Sequence, residues 1–409
     1  MKILHRLAIP TLAILCLLFV HQVILLAPHP RTGKPIRKPH YDINLSRFTE
    51  LQFTLGDERG VLKTAAAQLE STYVPSHLDE SLENALKEAA VMTFNSRVVA
   101  NLKHMIYRAL QYFGWSHSDA SGFVRRAHLY VASTEQFQAL LPEINVSLVD
   151  ASQVIQVVDV GSGSGTETAK LAEALELSIS INPPPATTKN PLQHVNVTCF
   201  ESAASLRHQL RSRGFTVADS LEEIADNSIH VGALLNVLDR CDNPIDLVRA
   251  MLQKLRQATS EQYDGGYLMI GIVMPFKGGQ VLEGTWGNDG KSASRRPRNR
   301  LVLPSITATK KRKGWTEFQA AHFYAGLLHH IPQLEVVRWT RLPYVSIGGI
   351  QFTHSTLDMV LMVLRRPRSG TNNNNDSTET VPLPEGENEI ESVGKDGSED
   401  PAEMDKTEL

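Results

Sequence analysis

Residues 157–166 read VVDVGSGSGT, and the residues that follow, ETAKLAEALEL, have a composition that favours a helix. The apolar run predicts a buried strand that turns through a glycine-rich loop directly into that helix. Dinucleotide-binding loops have the spacing G-x-G-x-x-G. Counting from Gly161 and Gly163, the last position of that spacing falls on Thr166. The dinucleotide pattern therefore fails, and the acid before the first glycine, Asp159, needs a different explanation.

The runs around this loop predict the architecture. Short apolar, β-branched runs alternate with amphipathic segments: VIQVVDV, VNVTCF, HVGALLNV and YLMIGIVM. This alternation predicts parallel strands joined by crossover helices. The last two runs, LEVVRWTRL and TLDMVLMVL, have only the glycine-bearing connection YVSIGGIQF between them, which indicates an antiparallel hairpin at the end of the sheet. Residues 41–128 show helical spacing instead, so we expect a helical region before the sheet.

The glycine loop with its preceding acid resembles the first motif of S-adenosylmethionine-dependent methyltransferases. Ligands bind at the carboxyl ends of parallel strands, where glycine lets a ligand approach the backbone closely. Glu201 ends the second strand, and a carboxylate there can accept hydrogen bonds from both ribose hydroxyls of an adenosine. Asp159 is placed to contact the ammonium group of the cofactor, directly or through water. S-adenosylmethionine carries positive charge on both its amino group and its sulfonium, which suits these carboxylates.

A narrower resemblance comes from four segments: HLYVASTEQFQALL before the first strand, LLNVLDRCDNP at residues 234–244, IVMPFKG at the fifth strand, and WTRLPY at the sixth. Together they resemble the methyltransferase-like protein 9 (DREV) family over residues 128–365. That family consists of seven-strand enzymes that methylate a ring nitrogen of histidine in proteins.

The resemblance implies a fold, a cofactor and a set of site residues. The fold would be a Rossmann-like α/β class I methyltransferase with seven strands and an N-terminal helical extension. The activity would be transfer of a methyl group from S-adenosylmethionine to the pros nitrogen of histidine in His-x-His sequences of proteins. The substrate side would be formed by Asn236, Asp239 and Tyr344. The cofactor residues would be Asp159, Gly161, Gly163, Gly165 and Glu201.

Asp239 carries a further expectation. Methylating the lone-pair nitrogen of a neutral imidazole leaves a cationic ring that must lose the proton on its other nitrogen. An acid beyond the fourth strand is placed to accept that N–H and to stabilise the developing charge. The alternative is that Asp239 caps the following helix, NPIDLVRAML, although Asp242 and Asn243 lie nearer its start.

The chain departs from the family at two positions. Family members carry a tyrosine eleven residues after the RLPY tyrosine, whereas this chain has Ser355 beside His354, so substrate handling is expected to differ. Ser164 replaces an acid that is frequent in the glycine loop of relatives, which bears on cofactor affinity. Two other functions stay open: methylation of a small molecule by the same fold, and a non-catalytic binding module.

The ends of the chain have separate properties. Residues 1–40 hold a long apolar segment and a polar linker, which predicts either an uncleaved membrane anchor or a signal peptide. We therefore expect an endomembrane location, in the endoplasmic reticulum, with the enzyme anchored or lumenal. Residues 367–409 contain 12 of the 44 acids, 3 of the 41 basic residues and few large apolar residues, so we expect a disordered acidic tail. Residues 41–128 and 129–366 would be the helical region and the methyltransferase domain.

Some partners are not expected. Only Cys199 and Cys241 remain outside the apolar segment, and no carboxylate or cysteine lies at ligand spacing from His329 or His330, so no metal is assigned. The basic stretch before Trp315 lacks interleaved aromatic residues and any reader motif, and we interpret it as a solvated loop rather than a nucleic-acid site. We expect a monomer.

Overall fold

The structure is a computed structural model, and it describes residues of the central part of the chain. The predicted anchor and linker (1–40), the acidic tail (367–409) and the basic insertion before Trp315 lie outside the described residues. The described ranges are 61–76, 80–84, 94–125, 128–141, 154–179, 194–239, 241, 243–257, 265–274, 276, 315–332, 334–347 and 354–366.

Helices and strands alternate along most of the described chain. The helices are α1 (Val61–Ser71), α2 (Phe94–Tyr112), α3 (His117–Val124), α4 (Thr134–Leu140), α5 (Thr166–Ile179), α6 (Ala204–Ser212), α7 (Pro244–Lys254) and α8 (Trp315–His330). The strands are β1 (His128–Tyr130), β2 (Ile155–Val160), β3 (Val195–Phe200), β4 (Thr216–Ala218), β5 (Val231–Leu235), β6 (Tyr267–Met274), β7 (Glu335–Ile347) and β8 (His354–Arg365). A short helical segment occupies residues 80–84, and a 3-10 turn spans Leu221–Glu223.

All eight strands form one sheet in the order β1-β7-β8-β6-β5-β2-β3-β4. Strands β6, β5, β2, β3 and β4 are parallel, and β8 is inserted antiparallel between β6 and β7. This arrangement confirms the predicted Rossmann-like α/β class and the terminal antiparallel hairpin. The chain leaves β2 toward β3 on one side and returns to β5 on the other, so the order reverses at β2. Ligand sites of open α/β sheets lie at such a reversal.

The strand count differs from the seven predicted. Residues 128–130 form the extra strand β1, which pairs antiparallel with the carboxyl end of β7. Part of the predicted connection YVSIGGIQF also belongs to β7, which continues to Ile347 opposite His354 of β8. The reason is tertiary, because β7 finds hydrogen-bond partners on both edges there, and three residues are too few for a sequence signal.

The sheet is covered on both faces, and each face has its own core. One core packs α1, α7 and α8 against the sheet and includes Trp339, Phe323 and Met251. The other packs α4, α5 and α6 against the opposite face and includes Phe137 and Leu171. Burial of both faces explains why strands such as β5 and β6 read as continuous apolar runs rather than alternating ones.

The N-terminal helices attach to this sandwich at two places. Helix α1 docks on β7, where the indole of Trp339 donates to the carbonyl of Leu69 at 2.5 Å and Val74 N donates to Trp339 O at 2.8 Å. Helices α2 and α3 pack on each other around Tyr107, Ala120 and Val124. Helix α3 in turn contacts α6. Within the described ranges, no helix combines the length and apolar character that crossing a membrane requires.

Candidate functional site

The glycine loop joins β2 to α5 at the carboxyl edge of the sheet. The backbone amides of Gly161 and Ser162 both donate to Phe200 O, the last residue of β3, at 2.8 and 3.3 Å. The Ser162 hydroxyl donates to Asp159 O at 2.8 Å, and Gly165 N donates to Ser162 O at 2.9 Å. The loop is therefore held against β3 by backbone bonds. All three predicted glycines have positive φ values, between 55° and 79°, which explains the residue type.

Asp159 is the buried carboxylate of the site. Its side chain is 2% exposed, and its Oδ2 accepts from the Thr168 hydroxyl at 2.5 Å. Its Oδ1 is buried without a hydrogen-bond partner. Burial, with smaller contributions from the carboxylates of Glu201 and Glu167, raises the pKa of Asp159 to about 7, while hydrogen bonds from Thr168 and Ser162 oppose the shift. A buried acid with an unused oxygen is suited to receive a cation.

Glu201 follows β3 and is fixed by two backbone amides. Its Oε2 accepts from Gly163 N at 2.9 Å, and its Oε1 accepts from Ala203 N at 2.9 Å. The side chain stays partly exposed. Each carboxylate oxygen has more than one lone pair, so Glu201 keeps acceptor capacity while its orientation is set. The Gly163 bond also joins the glycine loop to the carboxylate, a contact that the sequence did not reveal.

The three glycines differ in what surrounds them. A Cβ at Gly161 would run into Val237 Cγ2, and one at Gly165 would lie 2.7 Å from Leu210 Cδ2. A Cβ at Gly163 would meet nothing within 4 Å. Gly161 and Gly165 are thus required for packing, whereas Gly163 borders open space and its N–H donates to Glu201. S-adenosylmethionine fits this arrangement, because its cationic amino group suits the unused oxygen of Asp159 and its ribose diol suits Glu201.

Asn236 and Tyr344 come together on the other side of the reversal point. Asn236 directly follows β5 and has a φ of 59°, a left-handed conformation that asparagine tolerates better than most residues. Its backbone N donates to Gly271 O at 2.8 Å, and its Nδ2 donates to the Tyr344 hydroxyl of β7 at 3.0 Å. Both side chains are buried, and Asn236 Oδ1 has no hydrogen-bond partner. The pair thus fixes one unused carbonyl acceptor.

Asp239 lies three residues beyond Asn236, half-buried in the turn that follows β5. Helix α7 begins at Pro244 with Asn243 as its N-cap. The N-cap position of this helix is therefore Asn243, as its place in the sequence suggested, and Asp239 lies four residues before it. Asp239 lies at the same edge of the sheet as Asp159, Glu201 and Asn236, since Asp159 is near the carboxyl end of β2 and the other three follow parallel strands.

A charged cluster beside the hairpin was missed by sequence reasoning. Arg341 of β7 forms a buried ion pair with Glu317 of α8 at 2.7 Å, and its guanidinium lies 3.7 Å from Asp358 of β8. Asp358 also accepts from the Thr316 hydroxyl at 2.7 Å. The cluster ties α8 to β7 three residues before Tyr344. Its signal in the sequence is the presence of Arg341 and Asp358 inside otherwise apolar strands, where charges must be paired.

Two further features were considered from the sequence: the position of Ser355 and a metal site. Ser355 and His354 begin β8, opposite Ser346 and Ile347, so the position that differs from the family lies near the end of the hairpin. Among the described residues, no group of three His, Cys, Asp or Glu side chains is arranged to hold a metal ion.

Comparison with known proteins places these features in a family. The family model described as DREV methyltransferase matches residues 63–366. Three similar solved structures are the DszA carbon methyltransferase, the CMeT domain of the citrinin polyketide synthase and a SAM-dependent methyltransferase from Aquifex aeolicus. Their sequence identities are 14%, 14% and 11%, and their TM-scores are 0.36, 0.32 and 0.27. The matches cover 70%, 57% and 56% of this chain.

The same matches cover 70% of the DszA chain, 88% of the Aquifex chain and 52% of the citrinin synthase chain, so this chain spans about half of the last one. Because these TM-scores are low, the fold class rests on the strand order described above.

Proposed function

The chain belongs to the DREV methyltransferase family and uses S-adenosylmethionine, and from this premise we propose that it methylates the pros nitrogen of histidine in His-x-His sequences of proteins. The observation that carries the proposal is the Asn236–Tyr344 pair. It presents a single buried carbonyl acceptor, and the next residue, Val237, borders Gly161 of the glycine loop. A neutral imidazole offers one N–H donor and one lone-pair nitrogen, so this acceptor suits histidine.

Bound S-adenosylmethionine supplies an electrophilic methyl group on a cationic sulfonium. Asp159 would hold the amino group through its unused Oδ1, and Glu201 would hold the ribose. Gly163 leaves the space that the cofactor needs next to the backbone. These residues bind and orient, and none of them takes part in moving a proton from the substrate.

Asn236 would select the ring nitrogen that reacts. Its Nδ2 is committed to the Tyr344 hydroxyl, so its Oδ1 points in one direction only. If the tele N–H of the substrate donates to Oδ1, the pros nitrogen keeps its lone pair and is free to react. The buried position of both side chains excludes water from the contact, which strengthens the hydrogen bond and fixes the tautomer.

Asp239 would supply the negative charge that the reaction requires. The imidazole becomes cationic as the methyl group arrives, and a carboxylate at the same edge of the sheet stabilises that charge. After methyl transfer the tele N–H would leave Asn236 Oδ1 and donate to Asp239, which would accept the proton that the ring must lose. In this scheme Asn236 orients the imidazole ring, and Asp239 stabilises the positive charge that develops on it.

The substrate test uses the full-length chain with radiolabelled S-adenosylmethionine and three matched peptides. They contain His-Ala-His, His-Ala-Ala and Ala-Ala-Ala at the same position. We expect label in the first peptide, on the pros nitrogen after hydrolysis and amino-acid analysis. Label on the tele nitrogen, or label only in a small-molecule fraction of a cell extract, would refute the histidine assignment. Absence of any transfer despite cofactor binding would favour a non-catalytic binding module.

The mechanistic test separates Asp239 from Asn236. Asp239→Asn should keep cofactor affinity and lower single-turnover rates by about a hundredfold or more, the range for loss of a positioned proton acceptor. Tyr344→Phe should instead release the Asn236 amide and reduce selectivity between the ring nitrogens. A rate within a few-fold of wild type for Asp239→Asn would exclude its proposed role.

We also propose that the protein acts as a monomer on endomembranes, either anchored or lumenal. The support is the apolar N-terminal segment, which is long enough for a bilayer. Glycosidase treatment and protease protection of the full-length chain in microsomes would test the location, since a lumenal enzyme resists protease until the membrane is dissolved.

A further inference from the structure

Helices α2 and α3 expose an apolar surface that the methyltransferase site does not use. Four apolar residues have the spacing of one side of a helix: Val99, Leu102, Ile106 and Phe113. Phe113 follows the last residue of α2, and its amide still makes a helical hydrogen bond, to Ala109 O at 3.0 Å. Trp115 and Phe123 extend this surface onto α3, with ring centroids 5.5 Å apart. We call these six residues the apolar stripe. Solvent exposes 75% of Phe113 and 59% of Phe123, large values for aromatic side chains.

The stripe is distinct from the face that holds the two helices together. That face is formed by Tyr107, Ala120 and Val124. Helices α2 and α3 therefore pack on each other without covering the stripe. Contiguous exposed apolar surface of this kind marks a contact with a partner or a membrane.

The charge around the stripe is positive. The described side chains between Val99 and Arg125 include three Arg and Lys residues, Lys103, Arg108 and Arg125, and one acid, Asp119. That acid is occupied, because it accepts from Ser205 N and from the Ser116 hydroxyl. Arg108 and Arg125 are exposed, and Lys103 Nζ donates to the backbone O of Arg125 at 3.1 Å, so the ammonium of Lys103 lies at the end of α3. An occupant must therefore offer apolar contact together with negative charge.

This requirement separates the available occupants. The chain's own acidic tail offers negative charge but few large apolar residues. The N-terminal apolar segment offers apolar contact, and so does a second copy of the α2–α3 pair, but both carry positive charge and would be repelled. A bilayer with anionic headgroups offers both properties. Aromatic side chains with flanking Lys and Arg are also the composition that membrane interfaces select.

We propose that the apolar stripe is a membrane-contact surface that inserts its aromatic side chains among the headgroups of an anionic bilayer. The stripe lies on the α2–α3 pair. Helix α3 of this pair packs on α6, the helix that follows Glu201. The stripe would hold the methyltransferase domain against the membrane independently of the N-terminal segment.

The test uses the full-length chain and follows Trp115. The probes are phosphatidylcholine vesicles and vesicles in which about one lipid in three is phosphatidylserine, each with and without brominated acyl chains. The chain has four tryptophans, so the Trp115 signal is the difference between wild type and Trp115→Phe. We expect brominated anionic vesicles to remove most of that signal, neutral vesicles to remove much less, and high salt to reduce the effect as the Debye length falls from about 10 to about 3 Å.

Matched variants locate the effect on the stripe. Phe113→Ser with Phe123→Ser should abolish the quenching, while Leu177→Ser, which alters a similarly exposed apolar residue on α5, should preserve it. Quenching that is equal in wild type and Trp115→Phe would overturn the proposal even if the double variant failed to fold. Protection of Trp115 from an aqueous quencher in the absence of lipid would overturn the proposal in favour of a protein occupant. Protection that increases with protein concentration would indicate a second copy of the chain, and protection on addition of a His-Ala-His peptide would indicate the substrate.

Discussion

At the residue scale, a substitution of Gly163 can test cofactor binding without disturbing the packing of the fold. A side chain there meets open space, whereas substitution of Gly161 would combine loss of cofactor with a clash against Val237. We expect Gly163→Leu to fold, to lose about 1–2 kcal/mol of stability from its positive φ, and to bind S-adenosylmethionine about tenfold more weakly or worse. Gly114→Leu is the matched control, since Gly114 also has a positive φ and open surroundings. Equal affinities of the two variants, measured by calorimetry, would contradict the assignment.

Asp159 should make cofactor binding depend on pH. Burial raises its pKa to about 7 in the cofactor-free protein, and a bound ammonium would lower it again. Binding therefore favours the ionised carboxylate, so affinity should fall as pH drops below about 7, with release of a proton on binding. Calorimetry in buffers of different ionisation enthalpy measures that proton. Asp159→Asn should bind weakly with no such dependence, and proton uptake by wild type would have the wrong sign.

The same residue should affect stability without cofactor. Its pKa rises on folding from 3.8 to about 7, so its favourable contribution is complete below 3.8 and is lost as pH rises through about 7. Asp159→Asn should therefore raise the melting temperature of the cofactor-free protein above that pH. The gain should shrink in acid. A variant that is less stable than wild type in alkaline solution would show that the hydrogen bond from Thr168 outweighs the cost of burying the charge, and would contradict this prediction.

At the element scale, Asp119 joins two helix starts. Its backbone N donates to the Ser116 hydroxyl at the start of α3, while its Oδ1 accepts from Ser205 N in the first turn of α6 at 3.2 Å. Helix α6 follows Glu201, so α3 supports the segment that we propose holds the ribose.

We expect Asp119→Ala to cost about 1–2 kcal/mol in urea unfolding and to raise the KM for S-adenosylmethionine with little change in kcat. Asp246→Ala is the control, because Asp246 is half-exposed in the first turn of α7 and its ion pair with Arg249 spans 3.6 Å. It should cost less than about 1 kcal/mol and leave the KM unchanged. An unchanged KM for Asp119→Ala would limit α3 to a structural role.

Element prediction from sequence succeeded where periodicity was strong. Strands β2, β3, β5 and β6 match the apolar runs. The signal is most continuous in β5 and β6, where nearly all residues are buried on both faces of the sheet. Strand β1 and the extension of β7 were missed, since their pairing depends on a distant partner rather than on local composition.

At the scale of the whole molecule, the sheet and its two cores lie within residues 61–366 of the described chain. The family match spans residues 63–366, nearly the same range. We therefore expect deletion of residues 1–40 and 368–409 to give a folded protein with wild-type cofactor affinity and unchanged activity on a His-Ala-His peptide in solution. Circular dichroism and the radiolabel assay check this. A folded but inactive product would show that one of the ends takes part in the reaction.

The sequence by itself determined the α/β class, the position of the glycine loop and the carboxylates at the strand ends. Each of these depends on a local pattern: a periodicity, a glycine spacing, or an acid that directly follows an apolar run. Only the tertiary structure brought Asn236 to Tyr344, 108 residues later, and paired Arg341 with Glu317 across α8 and β7. It alone separated Gly163, which faces open space, from Gly161 and Gly165, which are packed. These contacts depend on how distant elements meet, because a side chain's partner is chosen by packing of the sheet and not by its neighbours in the chain.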